Sequence, residues 1–211
     1  AVVCATRGQA GRAGTPPRAT RATLPAVREA ELRAACALLG VASVTVLDHE
    51  DRRLAEADPD AVRRALVAAI RAERPAVVLT FDPHGLNGHP DHVAIARFAL
   101  DAVVAAADAR WYPEHGAPHR VRRVLWPAPV FPWEEWRPAA LATRPGVDVV
   151  CDVRPFRDLK RAALRAHRTQ HESVERHWFA PGIDAVLDVE CFRVGWGEGV
   201  AGVAGDPYEG L

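Results

Sequence analysis

The chain contains no methionine, no Cys-x-x-Cys pair and no net charge, and none of its apolar runs approaches the length of a membrane span. Each absence excludes something. A membrane-crossing helix needs about 18 or more consecutive apolar residues, so no span is expected. Lys+Arg and Asp+Glu both number 27. That balance argues against a broad electrostatic grip on nucleic acid or an anionic membrane, although a local basic patch stays compatible with it. Cys4, Cys36, Cys151 and Cys191 stand far apart, so reduced, mostly buried thiols are the default and a cytoplasmic protein is expected. The opening Ala1-Val2-Val3-Cys4-Ala5-Thr6 is too short, and too uncharged at its front, for a signal peptide. With no initiator, and with first residues that read as the middle of a strand, a further piece upstream is expected.

The 211 residues, 49 % of them apolar, suit one α/β domain over 1–211 with a real core. Strand and helix patterns alternate. Val2–Ala5 reads as a short strand before a glycine-rich turn. Pro25–Leu39 has helical spacing, stopped by Gly40. Val44 and Val46 mark a strand. Asp58-Pro59 is a helix start, with an acceptor side chain at the cap and proline in the first turn. Ala76–Phe81 is a continuous apolar run, expected to be a strand buried on both faces. Asp82–Gly88 reads as a loop. The helix opened by Pro90 is expected to turn Val93, Ala96, Leu100 and Val104 inward, widened by Ile95, Phe98 and Ala102, and to pair Arg97 with Asp101. Further strands are expected at Val121–Trp126, Val147–Val153 and Val186–Val194, and one helix from Pro155 to about His177. Trp111–Pro145 reads as a long surface excursion, and the tail from Gly195 as loosely ordered. The alternation implies an α/β, Rossmann-like three-layer fold with a mostly parallel sheet.

The chemistry concentrates in Asp82-Pro83-His84-Gly85-Leu86-Asn87-Gly88-His89-Pro90-Asp91-His92. This stretch follows the carboxyl end of a buried-type strand and runs into a helix N-terminus, the edge where open parallel sheets gather ligands. His89 and His92 stand three apart, so both can face one crevice. Asp91 can fix an imidazole tautomer by accepting its second N–H. A bare His-x-x-His is more often a helix cap than a site; the surrounding Asn-Gly-His-Pro-Asp-His raises the functional reading.

Gly88-His89-Pro90-Asp91-His92 resembles the second signature of the LmbE/PIG-L family of zinc-dependent N-deacetylases. Other pieces agree in order: Cys4–Gly11 with the loop after the second strand, Arg28–Leu32 followed by Leu39-Gly40-Val41, Leu47–Leu54, Lys160–Gln170 and Glu190–Arg193. The resemblance implies hydrolysis of an N-acyl, typically N-acetyl, amide on a small sugar-like substrate. Zinc or ferrous iron would be the metal, with His92 a ligand, His89 the oxyanion stabiliser and Asp91 tuning His89. Arg28, Asp51 and Asn87 become substrate-binding candidates. Gln9 departs from the family's frequent Glu, and Asn87 from a Tyr found in some members. The first signature, A-H-P-D-D-E, has no counterpart. It supplies two metal ligands and a general base on the loop after the first strand, so that strand is expected to be missing here. The competing reading is a truncated or degenerate homologue that only binds. A nucleotide-binding Rossmann protein is disfavoured, because Gly8-Gln9-Ala10-Gly11 is not G-x-G-x-x-G.

Overall fold

The structure, a computed structural model, describes residues 1–128, 146–180 and 187–211. Residues 129–145 of the expected Trp111–Pro145 excursion therefore lie outside the described residues. The chain divides into two compact units, Ala1–Arg52 with Asp152–Val189, and Arg53–Cys151 with Glu190–Leu211. The architecture is mixed α/β.

In the first unit, β1 (Val2–Thr6) pairs in parallel with β2 (Val44–His49), with α1 (Leu24–Leu38) between them. Pro25 sits in the first turn of α1, and Gly40 follows its end at φ +70°, a backbone conformation that glycine adopts without cost. The expected single helix from Pro155 is broken. It forms α5 (Arg157–Ala166), a 3₁₀ turn at Arg168–Gln170 and α6 (His171–Trp178). The break coincides with a contact from α1. Glu31 of α1, only 8 % exposed, accepts from the Thr169 backbone N–H at 2.8 Å and from its Oγ1 at 2.7 Å. A buried carboxylate left without donors would cost several kcal/mol or be neutralised, so the chain bends to supply them.

In the second unit the strand order is β3 (Val77–Leu79), β4 (Arg123–Pro127), β6 (Val189–Gly197), β5 (Val149–Asp152). β3 and β4 run parallel; β6 is antiparallel to β4, so the sheet is mixed. Alternation along β4 sends Val124 to one face, with Val103, Val121 and Ile70, and Leu125 to the other, with Val149, Phe192 and Ala204. On the first face lie α2 (Pro59–Glu73), capped by Asp58 accepting from Asp60 N–H at 3.1 Å, and α4 (Pro90–Ala106).

Several expectations are corrected here. β3 is three residues long and is not buried on both faces; Leu79 is 57 % exposed. Among the described residues β3 pairs only with β4 and β1 only with β2, so one backbone edge of each strand has no hydrogen-bonded strand beside it. Asp82–Gly88 contains a one-turn helix, α3 (Gly85–Gly88). On α4 the buried positions are Ala94, Ala96, Ala102, Val103, Ala105 and Ala106, while Val104 is 54 % exposed. This helix is apolar almost all round, so spacing alone could not orient it. Asp101 pairs not with Arg97 but with Arg63 of α2, at 2.6 Å. The tail from Gly195 is anchored: the Arg123 guanidinium, 0 % exposed, donates to the carbonyls of Glu198, Gly199, Pro207 and Glu209 at 2.8–3.0 Å. Those bonds satisfy a buried cation without any carboxylate.

Candidate functional site

The site is built on the segment after β3. Asp82 holds it: its Oδ1 accepts from Leu86 N–H and its carbonyl from Gly85 N–H, both at 2.8 Å. Gly85 has φ +68°, and a Cβ there would lie 2.8 Å from both His92 Cβ and the Val93 nitrogen. Glycine lets the turn press against the first turn of α4. The Gly85 carbonyl then lies 3.1 Å from His92 Nδ1. A carbonyl only accepts, so Nδ1 carries the proton and Nε2 keeps its lone pair. Phe81 stacks on the ring at 4.1 Å and 4°. Burial, ahead of every other influence, pushes the His92 pKa down, which favours the neutral, metal-binding form.

His89 is the N-cap of α4, extended at φ −64°, ψ 130°. Its Nδ1 accepts from Asp91 N–H at 3.2 Å, which leaves its proton on Nε2 as a donor. The two rings lie 4.9 Å apart. One imidazole thus offers a lone pair and its neighbour an N–H.

Asp91 is buried, and its Oδ1 accepts from Leu54 N–H at 3.1 Å. Its hydrogen bond to the His89 ring comes from its backbone N–H. Asn87 Oδ1 accepts from His89 N–H at 3.1 Å and so shapes the entry to α4. These four residues stand together.

Arg28 and Asp51 are brought together in the first unit. The Arg28 guanidinium lies against Gly8 and Gly11, where any Cβ would collide with it, and its Nη2 donates to the Arg12 carbonyl at 3.1 Å. Burial lowers its pKa, and the Asp51 charge opposes that shift. Asp51 Oδ2 accepts from Ala10 N–H at 2.8 Å. Gln9 donates to the His49 carbonyl at 3.3 Å, while its Oε1 is buried without a partner.

The sequence reading singled out neither Phe81 nor Gly85, although both hold His92. An aromatic at the strand's end and a glycine seven residues before a histidine are weak signals. As a metal site, His92 fits as one ligand. Among the described residues no group of three or more His, Cys, Asp or Glu could hold a metal ion.

Fold and site define an α/β protein with a donor–acceptor imidazole pair at the carboxyl end of a parallel strand. Residues 1–103 match the family model of GlcNAc-PI de-N-acetylase (PIG-L). A 1D-myo-inositol 2-acetamido-2-deoxy-alpha-D-glucopyranoside deacetylase of Rhodococcus opacus is 42 % identical over 136 residues, covering 56 % of this chain and 46 % of that protein. The deacetylase of the same name from Streptomyces avermitilis is 37 % identical over 174 residues, covering 72 % and 58 %. Over residues 1–103 the chain is thus similar to the PIG-L (LmbE-like) family. It spans about half the length of the curated relatives it matches. N,N'-diacetylchitobiose deacetylase from Pyrococcus horikoshii superposes with a TM-score of 0.70 at 21 % identity, covering 91 % of this chain and 71 % of that one, a likeness of fold.

Proposed function

We propose that the complete protein hydrolyses an N-acetyl amide on a small sugar-like conjugate, releasing acetate and a free amine. The observation that carries this reading is the pair of opposite tautomers at His89 and His92. His92 Nε2 is free to bind a divalent metal, zinc or ferrous iron, which would polarise the amide carbonyl and activate a water. Within this chain the steps belong to His89: its Nε2–H meets the negative charge developing on the carbonyl oxygen and then passes its proton to the departing amine. Asp91 N–H holds the ring in the donor tautomer. Arg28 and Asp51 hold sugar hydroxyls, and Asn87, which shapes the entry to α4, is a further substrate-binding candidate.

The remaining ligands and the general base come, on this reading, from a strand beside β3 that carries the first family signature and completes a Rossmann-like three-layer sheet. The exposed Leu79 and the one-sided pairing of β3 support that strand. Four free cysteines fit a cytoplasmic protein. No described helix is long and apolar enough to cross a membrane, and the charge balance gives no reason to expect nucleic acid as a partner.

The test is acetate release from an N-acetylglucosaminyl conjugate by the full-length protein, before and after chelation. Full activity in the metal-free protein rejects the proposal. The competing reading, a homologue that only binds, draws on the incomplete ligand set among the described residues. It predicts that the 211-residue chain is inactive and binds zinc weakly. Stoichiometric zinc with turnover in that chain would eliminate it.

A further inference from the structure

The first unit holds a cavity of about 270 Å³ lined by Arg12, Thr169, Gln170, Glu172, Ser173 and Arg176. That is slightly below the roughly 300 Å³ at which small-molecule pockets begin, enough for one compact group. We infer that this cavity is an anion-binding site, in which the Arg12 and Arg176 guanidinium groups take a phosphate or carboxylate with Ser173 alongside.

The floor is rigid. Thr169 is fixed by its two hydrogen bonds to buried Glu31. Gln170 Nε2 donates to the Arg12 carbonyl at 3.2 Å, and Arg28 Nη2 donates to the same oxygen at 3.1 Å. Two side chains thus pin the backbone of Arg12 at the cavity wall.

Arg12 and Arg176 are both exposed, whereas several other arginines of the same unit meet a carboxylate. Arg7 and Arg33 meet Glu29, Arg157 meets Asp188 and Arg165 meets Glu175. Among the described residues no hydrogen bond or ion pair engages the side chain of Arg12 or Arg176. Glu172 and Arg176 have the i,i+4 spacing of a helical ion pair, yet no such pair forms. The two arginines lining this small cavity outweigh the single carboxylate of Glu172, which is left to accept from a hydroxyl. The ligand class is therefore a compact anion with a neighbouring hydroxyl. Arginine suits it, because its planar fork of donors matches both carboxylate and phosphate oxygens.

Two sources could bring that chemistry: the charged end of a sugar conjugate, or a free anion. Isothermal titration of the 211-residue chain with inorganic phosphate, glucose 6-phosphate and glucose distinguishes them. Phosphate and glucose 6-phosphate should bind and glucose should not. Tighter binding of the sugar phosphate assigns the site to a conjugate, and equal binding assigns it to a free anion; either outcome supports the site. Arg12→Gln and Arg176→Gln should each weaken phosphate binding by about tenfold, the scale of one charge-assisted hydrogen bond. Arg18→Gln, an exposed control in the same loop, should not. Arg176→Lys, which keeps the charge but loses the fork, should fall between. Far-ultraviolet circular dichroism confirms that the variants are folded. No binding of either phosphate, binding of glucose equal to that of its phosphate, or binding indifferent to both substitutions overturns the inference. Because the readout is binding, it stands or falls separately from deacetylation.

Discussion

Replacing Gly85 with alanine isolates the contact that sets the His92 tautomer. The substitution meets two obstacles. At φ +68° a non-glycine residue costs about 1–2 kcal/mol. The added Cβ would also lie 2.8 Å from His92 Cβ and from the Val93 nitrogen, and 3.0 Å from Val93 Cγ2. Neither backbone nor a ring-bearing Cβ yields easily, so overpacking adds about 1–3 kcal/mol. The total of roughly 2–5 kcal/mol is a large share of a domain's usual ~5–15 kcal/mol. Gly88→Ala is the control. Its φ is +76°, but a Cβ there meets nothing within 4 Å, so it should pay the backbone cost alone. Urea midpoints at constant m-value measure both, and imidazole ¹⁵N shifts report which His92 nitrogen is protonated. The expected outcome is a greater loss for Gly85→Ala, together with loss of the Nδ1–H tautomer. Equal losses in the two variants, with the His92 tautomer unchanged, would refute the account of how the ring is held.

Other predictions follow the same logic. In the full-length protein, His92→Ala should lose metal, while His89→Ala should keep metal and lose turnover by about 10²–10³-fold; metal content and kcat decide, and the reverse pattern would exchange the two roles. Arg123→Met strands four tail carbonyls, so limited proteolysis should cut after residue 197 much faster than in the wild type. Cys151, pushed up to about 11 chiefly by burial, should alkylate at pH 8.5 far more slowly than in the denatured chain, as read by mass spectrometry. His167 has its pKa lowered by burial, ahead of the Glu31 and Arg28 charges. The unfolded chain therefore binds more protons just below the ordinary histidine pKa, and stability falls as pH drops through that window. His167→Gln should flatten the fall between pH 7 and pH 5.5 in urea titrations.

The residues of the candidate site were legible as a group because their signals are local. A proline and a capping histidine start α4 whatever surrounds them, and Asn-Gly-His-Pro-Asp-His is contiguous. The helices α1 and α2 were legible for the same reason, through their prolines, Gly40 and the Asp58 cap. What escaped depends on distant partners. Nothing near Thr169 announces that Glu31 will break the helix there, and nothing near Arg123 announces that it will bind the tail. On α4 an excess of apolar residues erased the periodicity that would have placed Val104 outside. The tautomer of His92 rests on a carbonyl, which no side-chain pattern encodes.

The bond between Glu31 and Thr169 spans 138 residues. On a ribosome adding ~5–20 residues per second, roughly 7–28 s separate the emergence of the two partners. Through that interval α1 cannot bury Glu31 against its donors. Ala1–Arg52 thus leaves the ribosome well before Asp152–Val189, which completes its unit, while Arg53–Cys151 is synthesised in between. A pause in translation ahead of Asp152 would lengthen that interval.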